Sequence, residues 1–179
     1  MGTAGDEILR DNDPNPNRAG AEACGRGKLA PAEQLAEDLT RGKLDALYVV
    51  GDRLDLPEEA LAKAAGLELL AVQASHPSPL VEKATVALPA CMWAEVDGTI
   101  TSREGKVQRL RRAVAPAGFA RPHWQILVQA ARRAGLKMDD HASPHAIFDV
   151  MKQQVEQLGD AEWGKAKPPE LLRYAGSRG

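Results

Sequence analysis

Residues 84–108 read ATVALPACMWAEVDGTITSREGKVQ, and the rest of the architecture hangs on how they fold. Val86, Ala87 and Leu88 form a short apolar run that meets Pro89. Proline has no N–H to donate to a ladder, so the run is expected to stop there rather than continue as a central strand. Cys91, Met92 and Trp93 lead to Glu95, and Asp97-Gly98 is a strong short-range turn signal. Thr99, Ile100 and Thr101 then have β-branched strand character, ahead of Arg103-Glu104-Gly105-Lys106. The stretch predicts a buried strand feeding a tightly turned, Gly-punctuated polar loop. Loops of that kind, at the ends of buried strands, are where α/β proteins hold ligands.

Upstream, the pattern supplies the partners of that strand. Pro31 suits a first helical position, Leu35 and Leu39 share a face, and Gly42 suits the residue past the end, so residues 31–41 read as a helix. Residues 44–50, LDALYVV, read as a buried strand ending at Gly51-Asp52. A short helix over 57–65, stopped by Gly66, precedes a second strand over 67–72, LELLAV. Strand, helix, strand at this spacing is a βαβ unit with a parallel pair. Residues 73–79 read as a turn-rich connection, 80–83 as one helical turn, and 85–88 as a third strand.

Downstream, residues 107–114 read as extended, with their arginines on one side, broken by Pro116-Ala-Gly118. The clearest helix covers 122–134. Trp124, Leu127, Val128 and Ala131 make its apolar face and Gly135 its stop. Ser143 is a good N-cap with Pro144 at the first position of a helix running through Ile147, Phe148, Met151 and Val155 to Leu158, ending at Gly159. Residues 1–28, with the breaker run DNDPNPN, read as irregular, and 160–179 as a loosely held tail. The expected organisation is one α/β domain over 29–159 between these two segments.

Composition bounds the function. No apolar run in the 179 residues approaches the length of a membrane span, and the acidic N-terminus has no secretory h-region. Met1-Gly2 is not expected to be myristoylated, because Asp6 does not fit the motif. Cys24 and Cys91 are too few for a disulfide scaffold, an iron–sulfur cluster or a structural zinc, and a reducing cytoplasm is the simplest compartment. Residues 1–100 carry 9 Lys+Arg against 17 Asp+Glu, and residues 101–137 carry 9 against 1. That basic run suits a phosphate, an acidic partner or nucleic acid; the simpler reading is a solvated face balanced by the acidic first half.

Few side chains stand out as chemistry. His141 and His145 are four apart, but Pro144 lies between them and no carboxylate–histidine motif accompanies them, so surface histidines near a helix cap are expected rather than a metal site. His76 reads as a loop histidine after a strand end, and His123 as first-turn helix surface. Cys91 lacks a base identifiable by spacing and is expected to be a buried structural thiol. Glu95 and Asp97 flank the turn and are expected to cap it rather than act as an acid–base pair. Gly25-Arg-Gly-Lys28 lacks P-loop spacing and a preceding strand, so it reads as a linker. Arg103, Lys106, Arg109, Arg111 and Arg112 lack interleaved aromatics or a nucleic-acid motif.

The focal stretch resembles a family signature. Residues 84–90, then Trp93, Glu95, Gly98-Thr99, Thr101, Glu104-Gly105 and Val107-Gln108, resemble "ADVVLPA-x-x-W-x-E-x-x-GT-x-x-N-x-EGRVQ" of the molybdopterin oxidoreductases and their relative, the G-type subunit of NADH-quinone oxidoreductase (respiratory complex I). The flanks resemble it too. Residues 15–22 are similar to "PN-x-x-GA", residues 47–51 to "ALYVLG", and residues 121–127 to "ARPDWEIL". Ser102 stands at the family's asparagine, Lys106 at its arginine and Thr85 at its aspartate.

The resemblance implies a Rossmann-like α/β subdomain with C-terminal helices. In molybdenum enzymes such strand ends lie along the dinucleotide part of the pterin, so Gly51, Gln73, Thr99 and Ser102 would be the cofactor-binding residues if that site is retained. The departures suit the complex I branch, which need not hold the pterin. That branch implies a structural component of an NADH-quinone oxidoreductase peripheral arm. It would have no catalytic residue, metal or cofactor of its own and would bind subunits carrying iron–sulfur clusters. It would be cytoplasmic, touching the inner membrane only through the complex. The alternative is a piece of a formate dehydrogenase-like molybdenum oxidoreductase that holds molybdopterin guanine dinucleotide and is completed by a separate catalytic chain. A basic-patch nucleic acid binder is the third reading, and no nucleic acid partner is expected.

Overall fold

A computed structural model of the chain describes residues 17–25, 30–52, 54–102, 104–139 and 141–163. In chain order the elements are α1 (Arg18–Gly25), α2 (Ala32–Thr40), β1 (Ala46–Val50), α3 (Glu58–Ala65), β2 (Leu69–Ala74), α4 (Pro79–Lys83) and β3 (Val86–Pro89). A 3-10 turn at Trp93–Glu95 precedes β4 (Gly98–Thr101), β5 (Val107–Leu110), α5 (His123–Arg133) and α6 (Pro144–Gln154), and a second 3-10 turn, Glu156–Leu158, follows. These elements pack as two compact units. One holds the described residues of 30–96 and 111–139, the other those of 17–25, 97–110 and 141–163. The stretch 29–159 expected as one domain therefore contains parts of both.

The first unit is α/β. β1, β2 and β3 form a parallel sheet in that order, with Val49 level with Val72 and Val72 level with Ala87. β2 is central, and Leu70, Ala71, Val72 and Gln73 are all buried. The sheet face carrying Val49, Leu70 and Val72 packs on Leu39 of α2, Ala60 and Ala64 of α3, and Leu80 of α4. Ala60 and Ala64 are fully buried. With only methyl groups at these two positions, the crossover helix sits close to the strands it connects, and the apolar area removed from water stabilises the pair. Ser78 caps α4 by accepting from the Val81 N–H at 3.2 Å.

Pro89 does not end the ladder, contrary to expectation. The Ala90 N–H donates to Ala74 O at 2.9 Å, the Cys91 N–H to Arg121 O at 2.9 Å, and the Arg121 N–H to Pro89 O at 3.2 Å. Successive strand residues turn their hydrogen-bonding groups to opposite sides. The missing N–H of Pro89 therefore falls on the side away from β2, and the β2–β3 ladder loses nothing. Gln73 and Ala74 likewise belong to β2, not to the connection after it.

The second unit holds the β4–β5 hairpin, α1 and α6. Asp97-Gly98 is not its turn. The residues before it, 93–95, form a 3-10 turn and offer no extended partner, so Gly98 opens β4 instead. The hairpin closes between Ser102 and Lys106, where the Ser102 N–H donates to Lys106 O at 2.8 Å and Gly105 adopts φ 79°. Residues 18–25, read as irregular, are helical. The Asn17 side-chain oxygen accepts from the Thr101 N–H at 2.8 Å. A Cβ on Gly20 would lie 2.7 Å from that oxygen and 3.0 Å from Thr101 Oγ1, so α1 approaches β4 only because residue 20 is glycine.

Other boundaries moved. β5 stops at Leu110, and the Ala113 and Val114 N–H groups bond Ala94 O instead of a strand. In α5, Ile126 and Val128 are buried while Leu127 is 39 % exposed. The helix is turned so that His123 and Ile126, three residues apart, share an inward side. α6 is capped by the Ser143 hydroxyl as expected but ends at Gln154, because Val155 is extended. Within the expected tail, Trp163 is packed: it stacks on His145 at 5.1 Å between centroids, and the Arg109 guanidinium carbon lies 3.7 Å from its ring centroid. Residues 1–16, 26–29 and 164–179, with most of the Gly25–Lys28 motif, lie outside the described residues. Among the described residues no helix is long and apolar enough to cross a membrane.

Candidate ligand site at the ends of the parallel strands

The C-terminal ends of β1 and β2 carry a cluster of polar side chains. Gly51 follows β1 with φ 121°, a conformation L side chains rarely adopt, and its N–H donates to Gln73 O at 2.9 Å. An added Cβ there would meet nothing within 4 Å, so backbone conformation, not space, asks for glycine.

Asp52 comes next and brackets the two strand ends. Its carboxylate accepts from the Ser75 N–H, the Ser75 hydroxyl and the His76 N–H. Burial alone would raise its pKa. The hydrogen bonds from Ser75 and His76 outweigh burial and hold it below the ordinary carboxylate value. Asp52 is therefore ionised at neutral pH, with lone-pair capacity left on a partly exposed carboxylate.

Gln73 is fully buried at the centre of the cluster. Its side-chain nitrogen donates to the Tyr48 hydroxyl, and its side-chain oxygen lies 2.9 Å from His123 Nδ1. A carbonyl oxygen only accepts, so with the amide so placed Nδ1 carries the proton and Nε2 of the neutral ring is an acceptor. Burial pushes the His123 pKa down, partly opposed by the charge of Asp52, which keeps the ring neutral at pH 7. His123 is thus half-buried and oriented, not the surface residue the sequence suggests.

Glu95 supports the loop beyond β3. It is 7 % exposed, and its two oxygens accept from the Met92 N–H and the Ala117 N–H, each at 2.8 Å. It clamps two backbone segments, while Asp97, in the other unit, pairs with Arg109 at 3.0 Å. Glu95 and Asp97 are therefore not an acid–base pair. Cys91 is buried, and burial, then the Glu95 charge, raises its thiol pKa, so it is a packed thiol and a poor nucleophile.

Of the residues expected from the resemblance, Gly51 and Gln73 come together here. Thr99 and Ser102 lie in the other unit: Thr99 is level with Arg109 in the hairpin, and the Ser102 hydroxyl accepts from the Lys106 N–H at 3.2 Å. Tyr48, Asp52 and Ser75 were not singled out from sequence, and His123 was read as helix surface. The available signal was position, since Gly51-Asp52 and Ser75-His76 directly follow two parallel strands. The basic run is partly neutralised locally, Lys106 by Glu104 at 2.8 Å and Arg109 by Asp97. His145 faces Asp149 at 3.7 Å, and among the described residues no group of three His, Cys, Asp or Glu could hold a metal.

A carboxylate, two hydroxyls, two imidazoles and a buried amide thus gather at the ends of parallel strands in an α/β unit. Residues 14–133 match the molybdopterin oxidoreductase family, and the chain belongs to it. It is 38 % identical over 133 residues to the NADPH-Fe(3+) oxidoreductase subunit alpha of Geobacter sulfurreducens, covering 69 % of this chain and 16 % of that protein. It is 31 % identical over 135 residues to a nitrate reductase of Shewanella frigidimarina, covering 71 % and 14 %. It is 40 % identical over 93 residues to the F420-dependent formate dehydrogenase 2 subunit alpha of Methanococcus maripaludis, covering 51 % and 14 %. The chain spans 16 % or less of the length of these relatives.

Proposed function

We propose that this chain forms one wall of a pterin-dinucleotide site in a molybdopterin oxidoreductase of the formate dehydrogenase kind, with the rest of the site on other polypeptide. The observation that carries this reading is the Asp52–Ser75–His76 and Tyr48–Gln73–His123 cluster beside the open backbone of Gly51. The set is acceptor-rich and, among the described residues, includes no Lys or Arg. It therefore fits the nucleoside end of such a cofactor, whose base and ribose offer N–H and O–H groups, better than its phosphates. Asp52 would accept from base N–H groups, Tyr48 would donate its hydroxyl proton, and His123 Nε2 would accept. Gln73 would orient the last two. When bound, the cofactor supplies redox chemistry at its metal; this chain binds and orients it.

A second reading is a structural component like the G-type subunit of NADH-quinone oxidoreductase. It is favoured by Ser102 and Lys106, which are engaged within the hairpin turn and with Glu104 at positions where the family pattern has asparagine and arginine. One measurement separates the readings. The assembly carrying this chain is isolated from its host through an affinity tag, and molybdenum, tungsten and acid-released guanine nucleotide are measured per chain. The first reading expects metal and nucleotide near one per chain, with nucleotide reduced by Asp52→Asn. Neither metal nor nucleotide, together with co-purified NADH-dehydrogenase subunits, overturns it in favour of the second.

A further inference from the structure

We propose that the free edge of β1 pairs with an extended segment of the larger oxidoreductase polypeptide, an inference that rests on the function proposed above. β1 is the edge of its sheet among the described residues. The Gly51 N–H bonds Gln73 O and the Glu68 N–H bonds Asp45 O, so Asp45 and Gly51 turn their groups toward β2. By alternation, Ala46, Tyr48 and Val50 turn theirs outward, to the free edge.

Among the described residues nothing blunts that edge. Proteins protect exposed edges with charges, prolines or bulges, and the five residues ALYVV contain none. A groove of about 590 Å³ follows the strand, lined by residues 47–52, Leu35 and Leu54. The sheet face beside it is partly open: Tyr48, Val50, Leu69 and Val86 are 39–50 % exposed, while Ala71 and Gln73 of β2 on the same face are buried. The opposite face is covered by α2, α3 and α4. Parallel sheets are ordinarily buried on both faces, so this one presents a free edge beside the part of a face that is uncovered at Tyr48 and Val50.

The charges choose the occupant. Asp45 precedes β1, and Asp52 and Asp55 follow it. A second copy paired antiparallel on the same edge would set Asp45 of one chain near Asp52 of the other, like charges at both ends. An apolar strand flanked by Lys or Arg would find complementary charge at both ends instead. The relatives carry the matched stretch within much longer chains, 16 % or less of each, so polypeptide to supply such a strand exists in the family. Strand addition of this kind takes affinity from main-chain hydrogen bonds and selectivity from alternate side chains.

Hydrogen exchange tests it. Amide exchange is measured on the tagged full chain alone and in the assembly isolated through the tag. The expected result is protection of the Ala46, Tyr48 and Val50 amides by at least about tenfold in the assembly, against β1 amides facing β2 that change little. Val50→Pro removes one outward N–H without touching the β2 ladder and should weaken association by about tenfold or more, whereas Val50→Ala should not. A pterin-bearing assembly in which those amides exchange as in the free chain overturns this inference and leaves the proposed function standing. Protection already present in the isolated chain, with a dimer by light scattering, overturns it in favour of a second copy. An assembly without pterin overturns both.

Discussion

Replacing Glu95 should both destabilise the chain and release a thiol. Its carboxylate is 7 % exposed and holds the Met92 and Ala117 N–H groups at 2.8 Å each. Charge-assisted bonds of this kind contribute about 1.5–3 kcal/mol apiece. Removing a buried carboxylate also relieves its desolvation, which offsets part of that loss. Glu95→Ala is therefore expected to cost about 2–4 kcal/mol. With a urea slope of about 2 kcal/mol/M, the midpoint followed by circular dichroism falls by about 1–2 M. Glu95→Gln keeps one acceptor but turns an NH₂ toward an N–H, so it should recover about half. The second readout is independent of stability. The Glu95 charge helps hold the Cys91 thiol above its ordinary value, so in Glu95→Gln the pH midpoint of Cys91 alkylation should move down toward that value, leaving the part due to burial. A urea midpoint within error of the parent, together with an unmoved alkylation profile, would refute the clamp.

Three further outcomes are expected. Gln73→Leu leaves the Tyr48 hydroxyl and His123 Nδ1 without their partner and should destabilise by about 1–3 kcal/mol, measured by urea unfolding. Gly51→Ala should lower stability by about 1–3 kcal/mol through backbone strain alone, because an added methyl meets open space; an unchanged Tm would show the positive φ to be wrong. The third concerns pH. The folded His123 pKa lies below 6.5, so between that value and 6.5 the unfolded chain binds more protons than the folded one. Its contribution to stability is complete above about 6.5 and declines as pH falls through that window. His123→Gln should flatten that segment of the stability curve.

The sequence placed each of the three parallel strands within about two residues, because βαβ spacing and apolar runs are local properties. It also identified the Ser143 cap and the helix before Gly42 from residues a few positions apart. It misread Pro89, since which side of a strand a residue turns toward depends on the neighbouring strand. It misread Asp97-Gly98, since a turn signal works only if both flanks are extended, and Glu95 had already drawn residues 93–95 into a 3-10 turn. In the candidate site, Gly51 and Gln73 followed from resemblance to a family pattern. Asp52 and Ser75 escaped notice although they adjoin the strand ends, because their roles depend on each other across 23 residues of chain.

What the linear chain determined by itself is membership in the molybdopterin oxidoreductase family and the parallel α/β unit, both written in contiguous motifs and apolar periodicity. Tertiary structure alone decided that Gln73 is buried between Tyr48 and His123, that Gly20 lets α1 meet Thr101, and that Glu95 reaches Ala117. Those pairings join residues 22 to 81 positions apart, where no local propensity can register them and only burial of the groups between them makes the hydrogen bonds obligatory.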